Sequence, residues 1–305
     1  MSWKKEVEGI EERRELAAKH GGEEAVSIQH ELGRLTIRER IAAFSDADSF
    51  CEQGPIAGHS ELADGGDLVS FIPANYVLGM ADVDGRPCVV GGEDFTQRGG
   101  SPSPAGLRKS VYAEDLAIRF RRPLVRFLQG GGGSVTGTGG KGRSGGDPVY
   151  AAHRFRSIAR VMESVPVASA ALGAVAGFPA ARLVASHFSV MTRHSSQVLI
   201  AGPAVVERAT GESSSKDELG GAKIHARSGV VDNVVEGEDE AFGAIRRFLC
   251  FLPTNVYEPA PRVQADDDRA RGEEELLSIV PRDRRKVYAM RRLLDLVLDR
   301  GSFFE

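Results

Sequence analysis

The residues with the most chemical leverage in this chain are its barest ones. Leu128–Gly140 reads LQGGGGSVTGTGG, in which seven of thirteen positions are glycine. Glycine lets a main chain approach a ligand closely and reach positive φ. Amide N–H groups exposed in this way, one of them at a helix N-terminus, stabilise a developing oxyanion. Enolate chemistry needs such donors and can do without a side-chain base. Other uses of a glycine run fit less well. A flexible linker is poorly placed between a strand and a helix of one compact unit. A dinucleotide-binding turn lacks its acidic residue about twenty positions on. A phosphate loop ending in Gly-Lys-Ser/Thr is missing, because Lys141 is followed by Gly142 and Arg143.

No side-chain constellation competes with that reading. The seven histidines (His20, His30, His59, His153, His187, His194 and His225) form no HExxH or HxH pattern. No Gly-x-Ser-x-Gly pattern stands at a plausible nucleophile elbow between a strand and a helix. Cys51, Cys88 and Cys250 form no CxxC pair and are expected to be buried, reduced thiols. No metal site is expected. A net charge of −4 without a basic stripe excludes nucleic acid as an obvious partner. No apolar run is long enough to span a membrane, and the charged N-terminus has no signal-peptide core, so a cytoplasmic location is expected.

The elements that must position the glycines follow from the apolar pattern. Helices are predicted over 3–20, 23–45, 103–120, 148–161 and 178–188, with another beginning at Pro203. Strand-like patterns cover 68–92, with Asp84-Gly85 as a hairpin turn, and also 123–128, 165–173 and 196–202. Strand, glycine-rich turn and helix recur. That alternation predicts an α/β sandwich with ligands at the strand ends. The acidic, proline-punctuated stretch 259–285 reads as a connecting segment with a solvated surface. Residues 38–52 (RERIAAFSDADSFCE) and 291–305 (RRLLDLVLDRGSFFE) align without gaps, which suggests a repeat whose second body follows the first.

Several stretches together resemble the N-terminal domain of the carboxyltransferase (β) subunit of biotin-dependent acyl-CoA carboxylases, the family of the propionyl-, acetyl-, methylcrotonyl- and geranyl-CoA enzymes. They are QHELGRLTIRERIAAFSDADSFCE, VVGGEDFTQRGGS, GGGGSV, ALGAVAGFPA, IAGPAVVERATGESSSKDELGGAKIHARSGVVDN and FLPTNVYEPAP. The resemblance implies an α/β, crotonase-like (ClpP/crotonase) spiral of repeated ββα units. It assigns 1–258 to the N-terminal half of a two-domain carboxyltransferase, and 259–305 to a linker plus the first helix of a second half. It implies transfer of CO2 from carboxybiotin to the α (or vinylogous γ) carbon of an acyl-CoA, with biotin N1 taking the α-proton. Biotin would be carried on a separate subunit, since no Met-Lys-Met biotinylation site is present. The implied partners are a biotin carboxylase/biotin carboxyl carrier subunit and further copies of the chain in a homo-oligomer.

Carried over position by position, Gly131 and Gly132 would hold the thioester oxygen. The turn at Gly173, Ala176 and Gly177 would supply the second donor. Gly99, Gly100 and Ser101 would line the CoA channel, together with Gly133 and Phe178. Gly220, Gly221 and Ala222 would shape a loop near the biotin side or else form a tight left-handed turn. Lys223 and Arg108 are weaker candidates for the CoA phosphates. The chain departs from the family pattern at Gly130–Gly133, where Ser-Gly-Gly-Ala is usual, and at Phe178, which replaces a glycine and bears on the acyl pocket. Two alternatives share the same fold: an acyl-CoA decarboxylase subunit, and an inactive isolated CoA-binding half.

Overall fold

A computed structural model describes residues 2–132, 154–262, 267–268 and 270–305. Two compact units are present, residues 1–259 and 260–305.

The first unit is built on a sheet with eight strands among the described residues. These are β1 (Cys51–Glu52), β4 (Tyr76–Val83), β5 (Arg86–Glu93), β6 (Leu124–Gly130), β7 (Val167–Ala176), β8 (Phe188–Thr192), β9 (Gln197–Leu199) and β10 (Asn233–Val235). The order is β1-β4-β5-β6-β7-β8-β10, with β9 also paired to β7. β4 and β5 are an antiparallel hairpin, whereas β5 to β8, β9 and β10 pair in parallel. The hairpin turns at Asp84 and Gly85, both at positive φ (52° and 72°), as the Asp-Gly dipeptide predicts. A separate two-stranded ribbon, β2 (Gly58–Leu62) with β3 (Leu68–Pro73), lies outside this sheet.

Alternation along β6 sorts its side chains to two faces. On one face lie Leu124, Arg126 and Leu128. Leu124 packs with Leu116 and Ala117 of α4 (Pro104–Phe120) and Val161 of α5 (Arg154–Ser164). Leu128 packs with Ala180 and Leu183 of α6 (Phe178–Val184). On the opposite face Phe127 meets Phe44 of α3 (Ile37–Phe44) and Phe242 of the helix Glu238–Cys250, edge to face at 5.3 and 5.2 Å. Every residue of β6 is buried, as a central parallel strand covered on both faces requires.

Three expectations need correction. The helical stretch 23–45 is two helices, α2 (Glu23–Glu31) and α3, because Thr36 and Glu39 form a reciprocal capping box that restarts the helix. The helix expected over 178–188 stops at Val184, and Phe188 opens β8, a buried strand whose apolar run reads equally as helix. Of the three thiols only Cys88 is buried; Cys51 and Cys250 are exposed.

The second unit carries a short helix, α11 (Met290–Val297), where α7–α10 denote Pro203–Thr210, Lys216–Gly220, Ala222–Ser228 and Glu238–Cys250. α11 falls at the repeat positions that α3 occupies in the first unit. The likeness extends to side chains. Arg38 Nη1 bonds Glu52 Oε2 at 2.6 Å, and at the aligned positions Arg291 Nε bonds Glu305 Oε2 at 2.6 Å. No helix among the described residues is long and apolar enough to cross a membrane.

Candidate functional site

The carboxyl ends of three adjacent parallel strands meet at one place. β5 leads into the turn Gly99–Ser101, β6 into Gly130–Gly132, and β7 into Ala176–Gly177. Gly131 N–H donates to Gly99 O at 3.0 Å, tying the first turn to the second. The second and third turns touch directly. A Cβ on Gly132 would stand 2.8 Å from Ala176 O and 3.3 Å from the Gly177 Cα, and Gly132 has φ 69°. A Cβ there would force a neighbour to shift, and side-chain-bearing residues rarely adopt that φ. Gly177 has φ 64° and ψ −123° as the N-cap of α6, so the third turn feeds straight into a helix N-terminus.

Of the residues expected to hold an oxyanion, the structure brings Gly131, Gly132, Ala176 and Gly177 together but does not leave all their amides available. Gly131 N–H is spent on Gly99, and Gly177 N–H donates to Leu199 O at 3.1 Å. Gly132 N–H has no partner among the described residues. Of the three glycine amides, Gly132 is therefore the one without a partner among the described residues, beside the first turn of α6. Gly99, Gly100 and Ser101 do border this place, with Gly100 packed against the Gln129 carbonyl. Gly133 lies outside the described residues.

Phe178 opens α6. Its ring meets Phe155 edge-on at 5.6 Å, and the Arg182 guanidinium lies 4.3 Å from its centroid. Gly173 is not in the turn, because β7 runs on to Ala176. Gly173 sits inside the strand, where a Cβ would come within 2.7 Å of the Gln129 side chain. Gly220, Gly221 and Ala222 lie in a different part of the fold. They pack on β9, where Gly221 bridges Gln197 and His225 Nε2 donates to Val198 O at 2.9 Å. Neither Gly220 nor Gly221 is left-handed, so the tight-turn alternative fails. Lys223 lies on exposed α9 surface, and Arg108 on α4 is partly buried.

Behind the turns lies an ionic layer that sequence reasoning missed. Glu114 of α4 accepts from Arg126 Nη2 and from Arg182 Nε, both at 2.9 Å, and from the Ser157 hydroxyl. Glu114 and Arg126 are fully buried. Glu93, at the end of β5, is also buried. Removal from water pushes its carboxyl above the usual range, against the pull of Arg182. Tyr76 Oη and Arg182 Nη2 have no hydrogen-bond partner among the described residues, and both residues border a small cavity with Glu93, Phe178 and Pro179. No group of three or more His, Cys, Asp or Glu suited to a metal occurs among the described residues.

Comparison with known proteins decides the family. The carboxyl transferase domain pattern matches residues 28–305. The chain belongs to the carboxyl transferase domain family. A propionyl-CoA carboxylase carboxyltransferase subunit of Haloferax mediterranei is 34% identical over 100% of this chain and 58% of its own length. The methylmalonyl-CoA decarboxylase alpha subunit of Veillonella parvula is 31% identical over 98% of this chain and 58% of its own. Among solved structures, transcarboxylase 12S, described with methylmalonyl-coenzyme A bound and as a hexamer assembly, superposes with a TM-score of 0.80 at 29% identity, covering 98% of this chain and 57% of that one. The β subunit of geranyl-CoA carboxylase from P. aeruginosa gives 0.67 at 25% identity, covering 98% of this chain and 54% of that one. The carboxyl transferase chain described here thus has the crotonase-like fold, and it spans little more than half the length of these relatives.

Proposed function

We propose that this carboxyl transferase chain binds an acyl-CoA with its thioester oxygen on the amide of Gly132, as the acyl-CoA half of a carboxyltransferase. The observation that carries this reading is the contact between Gly132 and Ala176–Gly177, with the Gly132 N–H unpartnered among the described residues. Removing the α-proton of a thioester moves negative charge onto its oxygen. A fixed N–H aimed at that oxygen stabilises the enolate more than the neutral ester, and loss of one such donor typically costs ~3–4 kcal/mol of barrier. Phe178 and Phe155 would wall the acyl group, and Gly99–Ser101 would admit the CoA arm past a backbone with little side chain.

Bound carboxybiotin, carried on another subunit, would supply the CO2 and the base; this chain supplies the acyl pocket and the oxyanion donor. The relatives named above include carboxylases, a transcarboxylase and a decarboxylase. We infer that the carboxylase direction applies, with further copies of the chain and a biotin carboxylase/biotin carboxyl carrier subunit as partners and with the acyl carbon acting as nucleophile.

The test is equilibrium binding of an acyl-CoA and of its thioether analogue, which lacks the carbonyl oxygen. One made hydrogen bond favours the thioester by about 5- to 10-fold. Equal affinities would remove the oxyanion reading. Carboxyl transfer is then assayed with the two biotin partners, ATP and bicarbonate added. ATP-independent loss of CO2 from a carboxyacyl-CoA, with no carboxylation, would reverse the assigned direction.

A further inference from the structure

Gln129 is fully buried and stands immediately before the glycine run. Its side-chain amide meets that of Gln29, on α2, in a reciprocal pair. Gln29 Nε2 donates to Gln129 Oε1 at 2.8 Å, and Gln129 Nε2 donates to Gln29 Oε1 at 3.2 Å. Two bonds between the same two amides fix orientation as well as distance, because neither group can flip without losing both. Gln29 is itself anchored, by a second donation to Leu35 O at 3.2 Å. The rest of Gln129 is held too. Its main-chain N–H points to Glu93 Oε2 at 3.4 Å, its carbonyl packs on Gly100, and Gly173 leaves the space its side chain fills.

The next three residues have no side chains to be held by. The direction of the Gly132 N–H is therefore set by the last anchored residue before it and by the backbone contacts of the glycines. An apolar pair would fill the same buried space without desolvating four polar atoms. What the amide pair adds is direction.

We infer that Gln29 is a positioning residue, acting through Gln129 to aim the Gly132 amide at the thioester oxygen. It ties the N-terminal helical arm to the site across a separation of 100 residues. This rests on the reading of Gly132 given above.

The test uses the full chain and the affinity ratio of acyl-CoA to its thioether analogue. The wild-type chain is expected to favour the thioester about 5- to 10-fold. In Gln29→Met, which keeps the volume but not the amide, the ratio is expected to fall to about 1–2 while thioether affinity stays unchanged. The double variant Gln29→Met/Gln129→Met places two apolar side chains in the buried space. It is expected to keep wild-type folding and the lowered ratio, so it carries the measurement if the single variant melts. A variant that keeps the wild-type ratio overturns the inference. So does a parallel fall in both affinities, which marks a purely structural contact. A wild-type ratio of 1 instead defeats the Gly132 reading itself, and the inference with it.

Discussion

Two neighbouring regions of this molecule divide the work in opposite ways. The turns at Gly99–Ser101, Gly130–Gly132 and Ala176–Gly177 carry almost no side-chain chemistry and yet form the candidate site. A few residues away, Glu93 and Arg126 on two of the same strands and Glu114 and Arg182 on the covering helices carry abundant chemistry and are sealed from solvent. Reactive-looking side chains here brace the frame, and in the proposed reading the backbone of the barest residues faces the ligand. A catalytic role is better sought by asking which polar atoms are left available than by asking which residue types are reactive.

The comparison is tested most severely at Glu114. If the ionic layer is a brace, Glu114→Ala strands two buried guanidiniums and should cost ~3–5 kcal/mol, read by urea unfolding. A near-neutral result would mean that the layer is not structural.

Lys109 offers a second test on the bracing side. Its ammonium donates to Gly54 O at 3.1 Å and lies 3.6 Å from Glu52. Burial lowers its pKa from 10.5 to about 8, more than the Glu52 carboxylate restores. Between pH 8 and 10.5 the unfolded chain therefore holds more of this proton than the folded one, so stability rises with pH across that window. The slope attributable to Lys109 approaches ~1.4 kcal/mol per pH unit. Lys109→Met should flatten the difference; a slope unchanged in the variant would show that the lysine titrates normally.

The smallest effects come from the repeated ion pair. Arg38 and Glu52 are 28% and 14% exposed, whereas Arg291 and Glu305 are 76% and 58% exposed. The same pairing in two settings separates geometry from burial. Arg38→Ala should cost ~1–2 kcal/mol and Arg291→Ala less than ~0.5 kcal/mol by thermal unfolding. Equal costs would mean that burial does not set the value of the pair.

Much of this arrangement was legible in the sequence. Asp84-Gly85 marks its hairpin, Pro203 marks a helix start, and the glycine cluster marks a strand end facing a helix, because each is a local conformational requirement. What escaped was non-local. Nothing around Gln29 announces a partner 100 residues away. Nor does Glu114 advertise that it neutralises arginines on a strand and a second helix. The commitment of the Gly131 and Gly177 amides depends on how the turns pack together, which no motif encodes. Gly173 is not the turn the sequence suggests for the same reason, since a glycine that makes room for a neighbour looks in sequence like one that makes a turn.

The central claim is that the Gly132 amide polarises the thioester. The most direct measurement is the infrared carbonyl stretch of a 13C-labelled acyl-CoA bound to the wild-type chain and to Gly132→Ala, whose Cβ would press on Ala176 O at 2.8 Å. A bound stretch below that of the same ester in water, lost in the variant, is the predicted result. A stretch that does not move on binding, or that moves equally in both proteins, would contradict the account.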